Sequence, residues 1–194
     1  MKRLLCIGGG NVNGLGQYLF NKAEHQYQVL RISKSDFFSD CFESEVIRFQ
    51  PDYVLITSAS SYKVDLPNID YQGVDKAFQS RLLPLYKIGA LLDRLSVDSV
   101  VVISGAASNF IINTYCALSL VNTATEVAVR YLAQEFMGRT RFNYVSPWRV
   151  GANGADPEKI CVDDVYSAIT FLFTNQSING TGILIDRGFS MNVK

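Results

Sequence analysis

The most constraining feature of this sequence is a regular alternation of short apolar segments with segments of helical periodicity. The apolar segments are nearly continuous in hydrophobic residues, which is typical of strands covered on both faces of a parallel sheet. We therefore predict one α/β domain over residues 1–194, a doubly wound parallel sheet between two layers of helices. The predicted strands are 2–7, 28–32, 53–57, 100–104, 142–145 and 182–186, and the predicted helices lie near 15–23, 40–49, 74–95 (disturbed at Pro84), 115–137 and 163–173.

The composition excludes several classes of protein. The 194 residues include 18 basic and 18 acidic residues, and 48% of them are hydrophobic. This supports a well-filled core and lacks the basic excess that a nucleic-acid-binding protein needs. The four cysteines contain no CxxC pair, which indicates reduced thiols. The one histidine, His25, lies in a polar segment, so we expect no metal site and no histidine-based nucleophile.

Residues 99–125 contain no charged residue, which is the one feature that suggests a membrane span. Glycine, serine, threonine and asparagine interrupt this segment, so no run of about 18 apolar residues remains. The first apolar run is short and is ended by glycines, unlike a secretory signal peptide. We therefore expect a soluble, cytoplasmic protein.

A glycine-rich segment, Gly10-Asn-Val-Asn13-Gly14-Leu15-Gly16, follows the first predicted strand directly and opens the first predicted helix. In this position the chain must turn sharply, and the free N–H groups of the helix N-terminus attract a pyrophosphate. Gly16 permits close packing of the helix on the sheet. The sequence therefore predicts a dinucleotide site, with a glycine-rich turn that binds no ligand as the alternative.

The spacing G-x-x-x-G-x-G resembles the glycine motif of the short-chain dehydrogenase/reductase family, with Gly9 in place of that motif's threonine. The resemblance extends over nearly the whole chain and implies a Rossmann-like fold, a nicotinamide dinucleotide and oxidoreductase chemistry. The further matching segments, in order, are 57–60 for the family's Asn-Asn-Ala-Gly, 101–104 for its serine-bearing strand, Tyr115 for its catalytic tyrosine, 143–147 for its Asn-x-Val-x-Pro-Gly and 185–188 for its Val-Asp-Gly-Gly.

The resemblance also implies which residues bind the cofactor. The backbone around the pyrophosphate is supplied by the glycine-rich segment, and the remaining contacts come from residues that follow later strands. The implied cofactor-binding residues of these two groups are Gly10, Asn13, Gly14, Leu15 and Gly16, and Ser58, Ala59, Ser60 and Pro147.

The residues after the second strand bear on the choice between NAD and NADP. A carboxylate at this point binds the ribose 2′-hydroxyl of NAD. Ser33 and Lys34 stand here instead and could accept a 2′-phosphate, so NADP is favoured over NAD. By the resemblance, Asp36 and Phe37 lie against the adenine. A solvated turn without a ligand is the alternative.

The catalytic pattern of the family is incomplete in this chain. The resemblance makes Tyr115 the proton donor to a substrate carbonyl and Ser104 the residue that orients this carbonyl, although a strict register places Gly105 there. The family's lysine, four residues after the tyrosine, is Ser119. A tyrosine has an ordinary pKa of about 10, and lowering it to about 7 takes about 4 kcal/mol, which an uncharged serine does not supply. Trp148 stands where the family has a glycine beside the nicotinamide.

Two interpretations of the function therefore remain open. The protein is an NAD(P)-dependent reductase of a small or carrier-bound carbonyl compound, or it is a non-catalytic relative that acts as a dinucleotide sensor or a partner-binding subunit. The helix 115–137 has a wide apolar band, with one stripe through Leu118 and Val121 and a second through Leu120 and Val127. The resemblance implies a homodimer through this helix; deep burial within a monomer is the alternative.

Overall fold

The computed structural model describes residues 1–9, 14–59, 66–110, 115–151 and 156–192. Eight strands and six α-helices are assigned in these residues, joined by short 3₁₀ turns. In chain order they are β1 (Arg3–Ile7), α1 (Leu15–Ala23), β2 (Gln28–Ile32), α2 (Lys34–Phe37), α3 (Phe42–Phe49), β3 (Tyr53–Ile56), α4 (Tyr71–Leu91), β4 (Ser99–Ile103), α5 (Cys116–Glu135), β5 (Arg141–Pro147), β6 (Val150–Gly151), β7 (Ile160–Cys161), α6 (Val162–Thr174) and β8 (Gly182–Ile185).

Six strands form one parallel sheet in the order β2-β1-β3-β4-β5-β8. The predicted doubly wound parallel sheet is therefore confirmed. Strands β3 and β4 are buried at every residue, as expected for strands covered on both faces. The chain leaves β1 toward one edge to form β2 and then crosses back to form β3, so the strand order reverses between β1 and β3. Clefts for ligands form at such a reversal, beyond the carboxyl ends of the strands.

Each face of the sheet has its own hydrophobic core. Alternate residues of one strand point to opposite faces: Leu5 and Ile7 join the core under α3, α4 and α5, whereas Leu4 and Cys6 join the core under α1 and α6. These two cores fix the sheet between two layers of helices. The carboxyl ends of the strands lie together at one edge of the sheet, close to the N-termini of the helices.

Three local features differ from the sequence prediction. Helix α4 continues through Pro84, which is buried in its third turn from the end, so the expected disturbance does not end the helix. A four-residue helix, α2, forms over Lys34–Phe37, where no helix was predicted. The two-residue strands β6 and β7 pair with each other outside the main sheet. In the described residues, no helix is long and apolar enough to cross a membrane.

Candidate functional site

A cleft of about 1050 Å³ opens at the carboxyl ends of β1 to β5. Its volume is at the upper end of the range for ligand pockets. It collects residues from five strand ends and from the N-terminal parts of α1, α2 and α5. Of the predicted site residues, those that line it are Gly14, Leu15, Gly16, Ser33, Lys34, Phe37, Ser58, Ala59, Ser104, Tyr115 and Pro147; Gly10, Asn13 and Ser60 lie outside the described residues.

At the floor of the cleft, beside the end of β1, the backbone at Gly16 packs closely against Gly9 and Thr57. A Cβ atom on Gly16 would lie 2.5 Å from Thr57 Oγ1 and 2.9 Å from the Cα atom of Gly9. Gly9 has a φ of +74°, a left-handed conformation that favours glycine. These contacts bring the start of α1 against the ends of β1 and β3, as the glycine spacing predicted.

The N-terminus of α1 faces this cleft, and no side chain of the described residues caps it. Its N-cap residue is Gly14, which has no side chain to bond the first N–H groups, and its first turn contains no acidic residue. The partial positive charge of the helix end is therefore available to an anion. This arrangement fits the phosphates of a dinucleotide.

Ser33 and Asp36 form a capping box that begins α2. The Ser33 backbone N–H donates to Asp36 Oδ2 at 3.1 Å, and the Asp36 N–H donates to Ser33 Oγ at 3.3 Å. Hydrogen bonds from the Ser33 hydroxyl and N–H hold the pKa of the Asp36 carboxyl below its usual range. Asp36 does not line the cleft, so the structure gives its carboxylate a local capping role rather than the expected adenine contact.

Phe37 is a core residue that contributes only to the wall of the cleft. Its ring is 4% exposed and packs edge-on against Phe42, with ring centroids 4.9 Å apart. Lys87 Nζ lies 4.6 Å from the Phe37 ring centroid. The exposed ring beside the cleft is that of Phe38, so Phe38 is better placed than the predicted Phe37 to cover an adenine.

Ser58 provides a hydroxyl that fits a ligand. It follows β3 and lines the cleft. Its Oγ atom is sealed from solvent and has no hydrogen-bond partner among the described residues. A buried hydroxyl without a partner is costly, and a polar ligand group in the cleft would provide one.

The charged side chains that line the described part of the cleft are all positive. Four cations line its described part, namely Lys34, Lys76, Arg81 and Arg149, and no aspartate or glutamate does. In a chain of zero formal net charge, this concentration of positive charge favours a polyanionic ligand.

Tyr115 is the N-cap of α5 and lines the cleft, as predicted. Ser119, which stands where the family has its lysine, does not; it lines a separate groove between α4 and α5. Its hydroxyl is sealed from solvent with no partner among the described residues. The residues of α5 that line the cleft with Tyr115 are Leu118 and Asn122. The Ser119 side chain is therefore not placed to act on a ligand in the cleft.

The hydroxyl of Ser104 is engaged away from the cleft. It donates to Glu126 Oε1 at 2.9 Å, and Ser108 and Ser146 donate to the same oxygen at 2.5 and 2.9 Å. Glu126 is buried in α5. Because the Ser104 proton is committed to a carboxylate, this geometry does not supply the hydrogen bond to a substrate carbonyl that the resemblance implied.

Trp148 closes the far end of the cleft within an aromatic cluster. Its ring stacks on Phe189 at 6.2 Å between centroids and lies 5.1 Å from Phe110. Arg149 lies over it at 5.7 Å. These contacts hold the ring beside Pro147, as expected from its place in the sequence.

Sequence reasoning missed two buried charged residues at the site, Arg81 and Glu126. Each interrupts an otherwise apolar helical stripe: Arg81 follows Ala77 by one turn and precedes Leu85 by another, and Glu126 is the first charge after the uncharged segment 99–125. A charge on the inward stripe of a helix was the signal that could have found them.

Comparisons with known proteins identify the fold. No family model and no curated protein matches the chain. Among solved structures, a small-chain dehydrogenase in complex with NADPH matches with a TM-score of 0.80 and 19% identity over 98% of this chain and 100% of that chain. The enoyl-[acyl-carrier-protein] reductase (NADH) from Aquifex aeolicus VF5 matches with a TM-score of 0.82 and 18% identity over 98% and 97%.

A third solved structure is an oxidoreductase of the short-chain dehydrogenase/reductase family from Burkholderia thailandensis. It matches with a TM-score of 0.79 and 15% identity over 96% of this chain and 92% of that chain. At these identities the likeness concerns the backbone. The chain has the fold of the short-chain dehydrogenases/reductases, as its motifs predicted.

Proposed function

We propose that the cleft binds a nicotinamide dinucleotide and that the protein is an NAD(P)-dependent reductase of a carbonyl compound. The observation that carries the proposal is the uncapped N-terminus of α1 at the floor of a cleft lined by four cations and no described carboxylate. The Ser58 hydroxyl in the same cleft, which has no hydrogen-bond partner among the described residues, supports it. The pyrophosphate would lie at Gly14, Leu15 and Gly16.

NADP is favoured over NAD at the end of β2. Ser33 and Lys34 line the cleft there, and the nearby Asp36 is committed to the capping box of α2. A free carboxylate that could bind a ribose 2′-hydroxyl is therefore absent from the described lining, whereas the Lys34 ammonium can pair with a 2′-phosphate.

The proposed step needs one proton donor from this chain. When bound, the reduced nicotinamide supplies a hydride to the substrate's carbonyl carbon. Tyr115 donates its hydroxyl proton to the carbonyl oxygen, so that the C=O double bond becomes an alcohol, and the tyrosinate takes a proton from water. Alcohol oxidation has to start from the tyrosinate, and no cation stands at position 119 to stabilise it, so we expect reduction to be much faster than oxidation.

Turnover with a panel of aldehydes and ketones tests this proposal. We expect NADPH to be consumed by the wild type. Tyr115→Phe should lower kcat by about 10²-fold or more, which is the usual contribution of a positioned proton donor, while NADPH binding is kept. Equal rates for the two proteins would contradict the assignment of Tyr115.

Two observations favour a second function, which is dinucleotide binding without catalysis. The Ser104 proton is donated to Glu126, and Ser119 lies in the groove rather than in the cleft. A protein of this kind binds NADPH but consumes none with any compound of the panel. Binding and turnover, measured on the same preparation, separate the two functions.

We also propose that the protein is a homodimer through the groove between α4 and α5. This groove has a volume of about 780 Å³ and is lined mainly by apolar residues. Leu120, Val127 and Tyr131 on α5 are 55%, 50% and 63% exposed. The stripe through Leu120 and Val127 is therefore not buried within one subunit. A contiguous exposed apolar patch of this kind is typical of an interface.

A further inference from the structure

Arg81 is a buried cation in the cleft that the proposed reaction does not use. It lies on α4, is 6% exposed and contributes to the lining. Its Nη1 atom donates to the carbonyl oxygen of Ile103 and, at 3.0 Å, to that of Ser104. Its Nε atom is sealed from solvent and has no acceptor among the described residues.

No carboxylate of the described residues forms an ion pair with Arg81. Burial lowers the pKa of the guanidinium to about 10, so it still carries its charge at neutral pH. A buried charge without a counter-ion is unfavourable. An anion that enters the cleft and reaches Arg81 would remove this cost, which makes the position selective for an anionic group.

The position of Arg81 distinguishes this anion from the dinucleotide phosphates. Its guanidinium is bonded at the end of β4, whereas Gly14 and Gly16 lie beyond the end of β1, with β3 between the two strands. Two strand spacings amount to about 10 Å. Tyr115 lines the same cleft from the start of α5, the helix that follows β4. An anion at Arg81 would therefore lie apart from phosphates bound at the N-terminus of α1.

We propose that Arg81 binds a carboxylate of the substrate and that the substrate is an oxo carboxylic acid. Nη1 is occupied by two carbonyl oxygens, whereas the buried Nε–H has no acceptor among the described residues, so a ligand would have to reach the guanidinium from the side that lines the cleft. The planar guanidinium matches the two oxygens of a carboxylate in a bidentate pair. This inference rests on the proposed reductase function, and it makes Arg81 a specificity-determining residue.

A binding experiment tests the inference without requiring turnover. The reporter is Trp148, the one tryptophan of the chain, which lines the cleft. With NADP⁺ at saturation, the full-length protein is titrated with 2-oxobutanoate, with its neutral analogue 2-oxobutanamide and with acetylphosphonate. The titrations are repeated on Arg81→Met, on Arg81→Lys and on Arg48→Met, which removes an exposed arginine of α3 outside the cleft.

We expect the wild type and Arg48→Met to bind 2-oxobutanoate at least about 10-fold more tightly than the amide, since charge-assisted bidentate pairs are strong. Arg81→Met should lose this preference, and Arg81→Lys should keep part of it. If thermal melting shows that Arg81→Met does not fold, the inference is tested by comparing the affinities of the wild type and of Arg81→Lys for the acid and for the amide.

Three results would overturn the inference. These are equal affinity of the wild type for acid and amide, an undiminished preference in folded Arg81→Met, and tighter binding of the phosphonate than of the carboxylate. Failure of the wild type to bind NADP⁺ would instead contradict the proposed function. In that case the same titrations without nucleotide still show whether Arg81 binds a carboxylate.

Discussion

Gly16 illustrates how a single residue sets the shape of the cleft. A side chain here would meet the backbone of Gly9 as well as Thr57, so the start of α1 could not stay against the strand ends. Gly89 in α4 is a contrasting case, because a Cβ there would meet no backbone atom but only side-chain atoms, Leu132 Cδ2 at 3.3 Å and Phe136 Cε2 at 3.9 Å.

We expect Gly16→Ala to lower the free energy of unfolding by about 1–3 kcal/mol, as overpacking does, and to weaken NADPH binding. Gly89→Ala should stay within about 1 kcal/mol of the wild type, because alanine favours the helix. Urea denaturation measures both variants. Equal stability of Gly16→Ala and the wild type would show that the close approach is not required.

Lys34 is the residue that we expect to select NADP. Lys34→Gln should weaken NADPH binding by about 10-fold, which corresponds to the loss of about 1.4 kcal/mol, and leave NADH binding unchanged. Calorimetric titration with the two nucleotides measures this. The control is Lys22→Gln, on α1 at the end away from the cleft. A similar loss for both nucleotides would contradict a 2′-phosphate contact.

The sequence indicates which residues follow the strand ends, but it does not indicate which side chains of a helix face the cleft. Gly14, Gly16, Ser58 and Pro147 line the cleft because they follow strand ends, which apolar runs locate well. Ser119 does not, because successive helix positions are about 100° apart and the cleft-facing residues are its neighbour Leu118 and then Asn122. Motif spacing alone does not determine how a helix is rotated about its axis.

At the level of elements, Glu126 ties helix α5 to two strands. Its Oε1 atom accepts hydroxyl hydrogen bonds from Ser104 after β4, from Ser146 in β5, and from Ser108 in the turn that follows β4. The sequence did not predict this cluster, because its members are brought together only by the packing of α5 on the sheet.

We expect Glu126→Ala to lower the free energy of unfolding by about 3 kcal/mol, since the buried hydroxyls of Ser104 and Ser146 and the part-buried hydroxyl of Ser108 lose this acceptor. Glu126→Gln should cost less, because an amide oxygen can still accept. Glu135→Ala, at the exposed end of the same helix, is the control and should change stability by less than about 0.5 kcal/mol. Denaturant unfolding that shows no difference between Glu126→Ala and Glu135→Ala would contradict the role of the cluster.

At the level of the whole molecule, the α4/α5 groove predicts the oligomeric state. Sedimentation equilibrium should give twice the chain mass of 21.6 kDa. Val127→Glu, which places a charge on the exposed apolar face, should give a monomer that melts cooperatively, while Gln134→Glu on an exposed polar position of α5 should remain a dimer. A wild-type monomer at all concentrations would contradict the proposed interface.

The layered architecture could be predicted from sequence because it depends on the alternation of apolar runs and helical periodicity, which is local information. The electrostatic character of the cleft could not be predicted in the same way. Arg81 and Lys76 lie on α4, far along the chain from the glycine-rich segment, and reach the cleft only through the crossover from β3 to β4.

We propose that a nicotinamide dinucleotide binds at the N-terminus of α1, with its nicotinamide half toward Trp148. Titration of the wild type with NADPH, followed by Trp148 emission, tests it most directly. We predict saturable quenching of this emission with a Kd of about 1–100 μM, which corresponds to a binding free energy of about −7 kcal/mol. We also predict sensitised emission from the bound nucleotide. Unchanged Trp148 emission and no calorimetric heat at millimolar NADPH and NADH would contradict the account.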